Sequence, residues 1–128
     1  MNAPVLRLWE RLRDEALIPL RERRAALFRC FDWAVGHGLG ETMIVEPRNL
    51  VIVEGDYSAR PELAPLIDVR VLVLLDETER WQRLDRRAGG TDRHGPSAWD
   101  ARWDAAEGIY FDTVRPEHKF DLVIDGQA

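Results

Sequence analysis

Three groups of side chains have the types and spacing to do chemistry. The first lies in VIVEGDYS, Val51 to Ser58, where an apolar β-branched run delivers Glu54 to its end just before a glycine. Ligands of open α/β sheets gather outside the carboxyl ends of the strands. A carboxylate there suits the water shell of a magnesium ion, which takes hard oxygen ligands and binds phosphates. A strand that simply ends in a charged residue explains the same string, so the match is a motif hypothesis. The second group is Arg83, Arg86 and Arg87, with Arg93 in the loop beyond. Helical spacing sets the first three opposite Trp81 and Leu84, away from the core. Guanidinium groups on a cover suit the charge spread over a transferring phosphoryl group. The plainer alternative is a solvated face with Glu79 and Arg83 paired at i,i+4. The third group is Phe31, Asp32 and Trp33, two flat rings around a carboxylate, beside glycines and His37. That set describes a nucleobase and ribose pocket, although aromatic rings are also ordinary core.

Other chemistries lack their parts. His37, His94 and His118 are scattered without metal-ligand spacing. Cys30 is the single cysteine, so no internal disulfide and no paired thiolates are possible, and no serine sits in a nucleophile elbow.

The elements that must position these groups follow from periodicity. Val5, Trp9, Leu12 and Ala16 recur at helical spacing and predict a helix over 5–17, which Pro19 ends or kinks. A polar RERR segment leads to the aromatic cluster Phe28, Phe31 and Trp33, then a loop through Gly36, Gly38 and Gly40 and a short strand at Met43 to Val45. Leu50 to Val53 reads as a buried parallel strand, followed by a short helix within 56–64. Val69 to Leu75 is a second non-alternating strand of the kind covered on both faces. Glu77 to Ala88 is helical, with Trp81, Leu84 and Ala88 on one side, and Gly89 and Gly90 stop it. Ser97 and Asp100 form a capping pair for a further helix striped by Trp99, Trp103, Ala106 and Tyr110, closed by Pro116. Leu122 to Ile124 is a last short strand. This order predicts an α/β domain with a parallel sheet and crossover connections.

Composition sets the outer bounds. With 128 residues, 45% hydrophobic and 32% charged, the chain is expected to fold as one domain, 1–128, with no repeat or low-complexity tract. A net charge of -5 argues against nonspecific attraction to nucleic acid or anionic membrane, both of which require a basic face. The opening MNAPVLRLWERLRDE lacks a signal-peptide pattern, and the longest apolar run, Val71 to Leu75, is too short to cross a bilayer. A reducing, cytoplasmic setting is the expectation.

Taken in order, the pieces resemble the uridine kinase family of P-loop proteins: an aromatic-Asp-aromatic segment, VIVEG, an Asp-led strand, an arginine-rich helix and lid, a tyrosine helix and a final DLVID strand. The similarity spans most of the chain. It implies a P-loop kinase-like parallel-sheet fold acting with ATP and Mg2+. Glu54 would be the magnesium-associated acid, and Phe31, Asp32, Trp33 and His37 would border the nucleoside. Arg83, Arg86, Arg87 and Arg93 would belong to a lid over 83–96. The family's histidine sits one position nearer the aromatic segment, where this chain has Gly36.

One departure bears directly on activity. No G-x-x-x-x-G-K-[ST] string is present, so the chain has no nest for the β-phosphate, no lysine for the γ-phosphate and no hydroxyl for magnesium. The family's hydroxyl-activating aspartate also precedes the matched region. In that family the P-loop strand lies between those matched by Leu50 to Val53 and Val69 to Leu75, so its loss leaves a gap in mid-sheet. Three explanations follow: a C-terminal portion of a longer kinase, a noncatalytic relative binding a nucleotide or a protein, or a subunit whose missing strand comes from a complementing chain. Open sheet edges would also promote homo-oligomers.

Overall fold

The computed structural model describes residues 8–32, 38–87 and 98–127. These are mixed α/β with two small sheets, and they divide into two compact units. One contains Met1–Ser58 with Glu62–Leu66, and the other Ala59–Pro61 with Ile67–Ala128.

The first unit opens with a helical stretch, α1, made of α-helical Leu8–Arg11, π-helical Leu12–Leu17 and α-helical Ile18–Arg21. The helix therefore runs through Pro19, so of the expected end or kink the end does not occur. Proline lacks a donor and crowds the carbonyl four residues back. The wider π register avoids that four-residue bond, and the Ile18 amide reaches Arg13 O, five residues back. Helix α1 ends in a Schellman motif: Arg24 N–H donates to Pro19 O at 2.9 Å and Arg23 N–H to Leu20 O at 3.1 Å, with Arg23 left-handed at φ 60°.

Strands β1, Ala26–Asp32, and β2, Gly38–Val45, then form an antiparallel hairpin. The sequence predicted an aromatic segment, a glycine loop and a strand only from Met43. Two features hold the longer pairing. The register shifts between Arg29 and Phe31, so Gly40 and Glu41 stand opposite Cys30 in a β-bulge. Gly40 fits because a Cβ there would lie 3.3 Å from Asp32 Cβ. Arg29 then braces the bulge, donating Nε to Gly40 O at 2.9 Å and Nη2 to Leu39 O. The π-helical segment packs on β1, where Ala26 is buried and Phe28 half-buried, while Leu27 and its partner Ile44 face solvent.

Leu50 to Val53 corrects the sequence reading. The run has no ladder partner among the described residues, and Leu50 and Ile52 are 76% and 80% exposed. β-Branched residues favour an extended backbone, but a strand also requires a neighbour to bond, and none is supplied. The short helix expected within 56–64 is a 3-10 helix lying a little later, at Pro61–Leu66, after a turn at 55–58, and its Leu63 is fully buried.

In the second unit, β3 (Val71–Leu74) pairs in parallel with β4 (Leu122–Asp125), Val71 opposite Leu122 and Leu74 opposite Asp125. Both expected strands are present, in the expected parallel sense. Their expected cover is not: Val71, Val73 and Leu74 on β3 and Leu122, Val123 and Ile124 on β4 are all exposed. Two strands alone cannot bury both faces of a sheet of this composition. Between them run α2, Glu77–Arg87, and α3, which is α-helical over Ala98–Ile109 and π-helical over Tyr110–Val114. Helix α3 stops before Pro116 as expected; Tyr110 is buried and Trp103 half-buried, but Ala106 is exposed, so the apolar stripe is narrower than its spacing implied. The expected cap at Ser97 lies outside the described residues.

Candidate functional site

The carboxyl ends of β3 and β4 and the helix after β3 carry a connected set of polar contacts in the second unit. Asp76, two residues past β3, caps α2: its Oδ1 accepts the amides of Thr78 at 2.8 Å and Glu79 at 3.1 Å. Arg80 faces α3, donating Nη2 to Asp104 Oδ1 at 2.9 Å and Nη1 to Glu107 Oε2 at 3.0 Å while lying over the Trp81 ring. These two forks tie the helices side by side. At the opposite end of the strands, Arg70 clamps Asp121 with Nε at 2.8 Å and Nη2 at 3.1 Å, and its own amide reaches Asp121 Oδ2 at 2.8 Å. The hydrogen bond from the Arg70 guanidinium, aided by the Arg70 amide, holds the Asp121 carboxyl below its ordinary range.

The predicted arginines sit on the exposed part of α2. Arg83 donates Nε to Glu79 Oε1 at 2.7 Å, and Arg86 Nη2 reaches the same oxygen at 3.2 Å. The Arg83 hydrogen bond lowers the Glu79 carboxyl from its ordinary value, with Arg86 adding to it. Thus the i,i+4 pair foreseen as the plainer alternative is present, and Arg83 and Arg86 converge on one carboxylate. Arg87 is exposed at the end of α2, and Arg93 lies outside the described residues.

The remaining predicted residues that the structure describes belong to the first unit. Phe31 and Asp32 are the last two residues of β1, opposite Leu39 and Gly38 in the hairpin. Trp33 and His37 lie outside the described residues. Glu54 is exposed at the end of the extended run, followed by Gly55 at φ 137° and a turn in which Ser58 N–H donates to Gly55 O at 3.2 Å with Tyr57 at φ 63°. An exposed carboxylate and exposed guanidinium groups have the right donor chemistry for magnesium and for phosphate respectively. No group of three or more His, Cys, Asp or Glu placed to hold a metal occurs among the described residues. No described helix is long and apolar enough to cross a membrane.

Two residues that matter here were missed from the sequence. Asp76 had a signal, since D-E-T-E is an aspartate followed three residues later by glutamate at a helix start. Gln127 had none; its role depends on the parallel pairing that brings the end of β4 beside the end of β3. Comparisons of the chain with protein-family models, curated proteins and solved structures found no match.

Proposed function

We propose that this chain is a portion of a uridine kinase-like, ATP-dependent nucleoside phosphotransferase, inactive alone and completed by a segment carrying the P-loop. The observation that supports this reading most is the β3–β4 pair. Its strands have the continuous apolar composition of a sheet covered on both faces, yet both faces are exposed. An arginine-bearing helix directly follows β3, where a phosphate-covering element of such an enzyme belongs. ATP would supply the phosphoryl group. In the completed enzyme Glu54 would hold the magnesium water shell, Arg83, Arg86 and Arg87 would balance phosphate charge, and Phe31 and Asp32 would border the nucleoside. The nucleoside hydroxyl would attack the γ-phosphorus as the bond to ADP breaks, its proton passing to a base on the completing segment.

The test is complementation. A separately produced strand and P-loop segment is added, and ATP-dependent uridine phosphorylation is measured. Turnover only in the mixture is expected, with a loss of at least 100-fold in Glu54→Gln at unchanged folding. Undiminished turnover in that variant would remove Glu54 from the site.

A second reading, a noncatalytic nucleotide-binding or protein-interaction module, draws on the Glu79 pairing of Arg83 and Arg86. It predicts saturable binding of ATP or a protein without turnover in the same mixture.

A further inference from the structure

The start of α2 and the end of β4 are joined through one side chain. The amides of Thr78 and Glu79 belong to the first helical turn, where no carbonyl inside the helix is available to them. Their acceptor is Asp76 Oδ1, at 2.8 and 3.1 Å. The other carboxylate oxygen, Oδ2, accepts Gln127 Nε2 at 2.8 Å. Gln127 is itself anchored: its amide donates to Asp125 Oδ1 at 2.9 Å, and Gly126 N–H donates to Leu74 O at 2.7 Å. The approach is close enough that a Cβ at position 126 would stand 2.9 Å from both Leu74 O and Val73 Cγ1.

An aspartate carboxylate rotates in a broad χ2 well. Held through one oxygen, it samples orientations that leave the cap; held through both, it does not. We propose that Gln127 is a positioning residue for the arginine helix. By binding Asp76 Oδ2 it keeps Oδ1 aimed at the first turn, so the exit of β4 and the base of the helix bearing Arg83, Arg86 and Arg87 behave as one unit. The coupling stands on the hydrogen bonds alone; only the use of the arginines rests on the function proposed above.

Amide hydrogen exchange of the full chain tests the coupling, because Thr78 and Glu79 are protected by the cap and not by the helix. In Gln127→Ala their exchange is expected to quicken about fivefold, the worth of one hydrogen bond. Leu84, in the helix interior, should keep its rate. Gln127→Glu keeps the shape but sets a carboxylate against Asp76 Oδ2, so it should quicken the same two amides further. Unchanged Thr78 and Glu79 rates in both variants would overturn the proposal. Full protection in Gln127→Glu, or equal acceleration along all of α2, would overturn it too. Titrating inorganic phosphate against the arginine Nε–H signals of the unaltered chain separates the two ideas. Unmoved signals would count against the lid reading and leave the coupling standing.

Discussion

Replacing Arg23 by glycine is expected to stabilise the protein, even though it removes an arginine that makes hydrogen bonds. Arg23 occupies the left-handed position that ends α1, at φ 60°. Its Cβ makes that conformation cost about 1–2 kcal/mol. Glycine removes that cost but loses about 0.5–1 kcal/mol through the greater freedom of the unfolded chain. The side chain itself contributes little: Arg23 Nη1 reaches Arg48 O at 3.4 Å and Asn49 Oδ1 at 3.3 Å, both long and exposed. The motif's main-chain bonds, Arg23 to Leu20 and Arg24 to Pro19, remain. The balance is a gain of about 0.5–1 kcal/mol, which for a chain of this size raises Tm by about 2–4 °C. Differential scanning calorimetry would compare the wild type, Arg23→Gly and Arg23→Ala. Alanine loses the same contacts but keeps the Cβ, so glycine should exceed alanine by about 1 kcal/mol. A glycine variant no more stable than the alanine variant would refute the assignment of strain to this residue.

Gly126→Ala should destabilise by about 1–3 kcal/mol, because the new methyl meets the Leu74 carbonyl and a Val73 methyl at 2.9 Å and one of these is main chain; urea unfolding of the two proteins checks it. The Arg70 and Asp121 clamp predicts a pH dependence. Since the folded Asp121 carboxyl titrates below its unfolded value, its contribution is complete above the ordinary aspartate range near 4 and is lost as pH falls through the lowered folded value. Asp121→Asn should therefore flatten the acid limb of a stability profile between about pH 5 and pH 2, and an unaltered slope there would remove the clamp from the account.

The parts of the fold that were legible in the sequence are those whose pattern is local. β3 and β4 are short apolar runs, and α2 combines helical periodicity with a glutamate-rich first turn and an arginine-rich last turn. The hairpin was hidden because the bulge at Gly40 and Glu41 breaks strict alternation, and because glycines at 36, 38 and 40 read as a loop. Helix α1 extends past the end that its periodicity predicts because Pro19 directly follows a π-helical segment, Leu12–Leu17, and such a register leaves no mark in composition. Leu50 to Val53 shows the opposite failure: local preference predicts a strand, although pairing depends on a neighbour that the run itself does not encode. For the site, the Glu79 and Arg83 pair was legible from i,i+4 spacing, whereas the addition of Arg86 to the same oxygen depended on side-chain reach.

The parallel pairing of β3 with β4 also sets an order of events in folding. Arg70 and Asp121, which immediately precede the two strands, are 51 residues apart, whereas Asp32 and Gly38, which pair in the hairpin, are close in sequence. Closing a flexible loop costs about (3/2)RT ln n, or about 3.5 kcal/mol for the long closure against about 1.6 kcal/mol for the hairpin. The first unit can therefore form while the second still lacks its sheet. During synthesis β3 emerges well before β4, and Val71 to Leu74 must wait, with its backbone amides and carbonyls unpaired, for the strand that pairs with it among the described residues. The interval between the two strands is when the chain is most open to mispairing and to capture by folding factors.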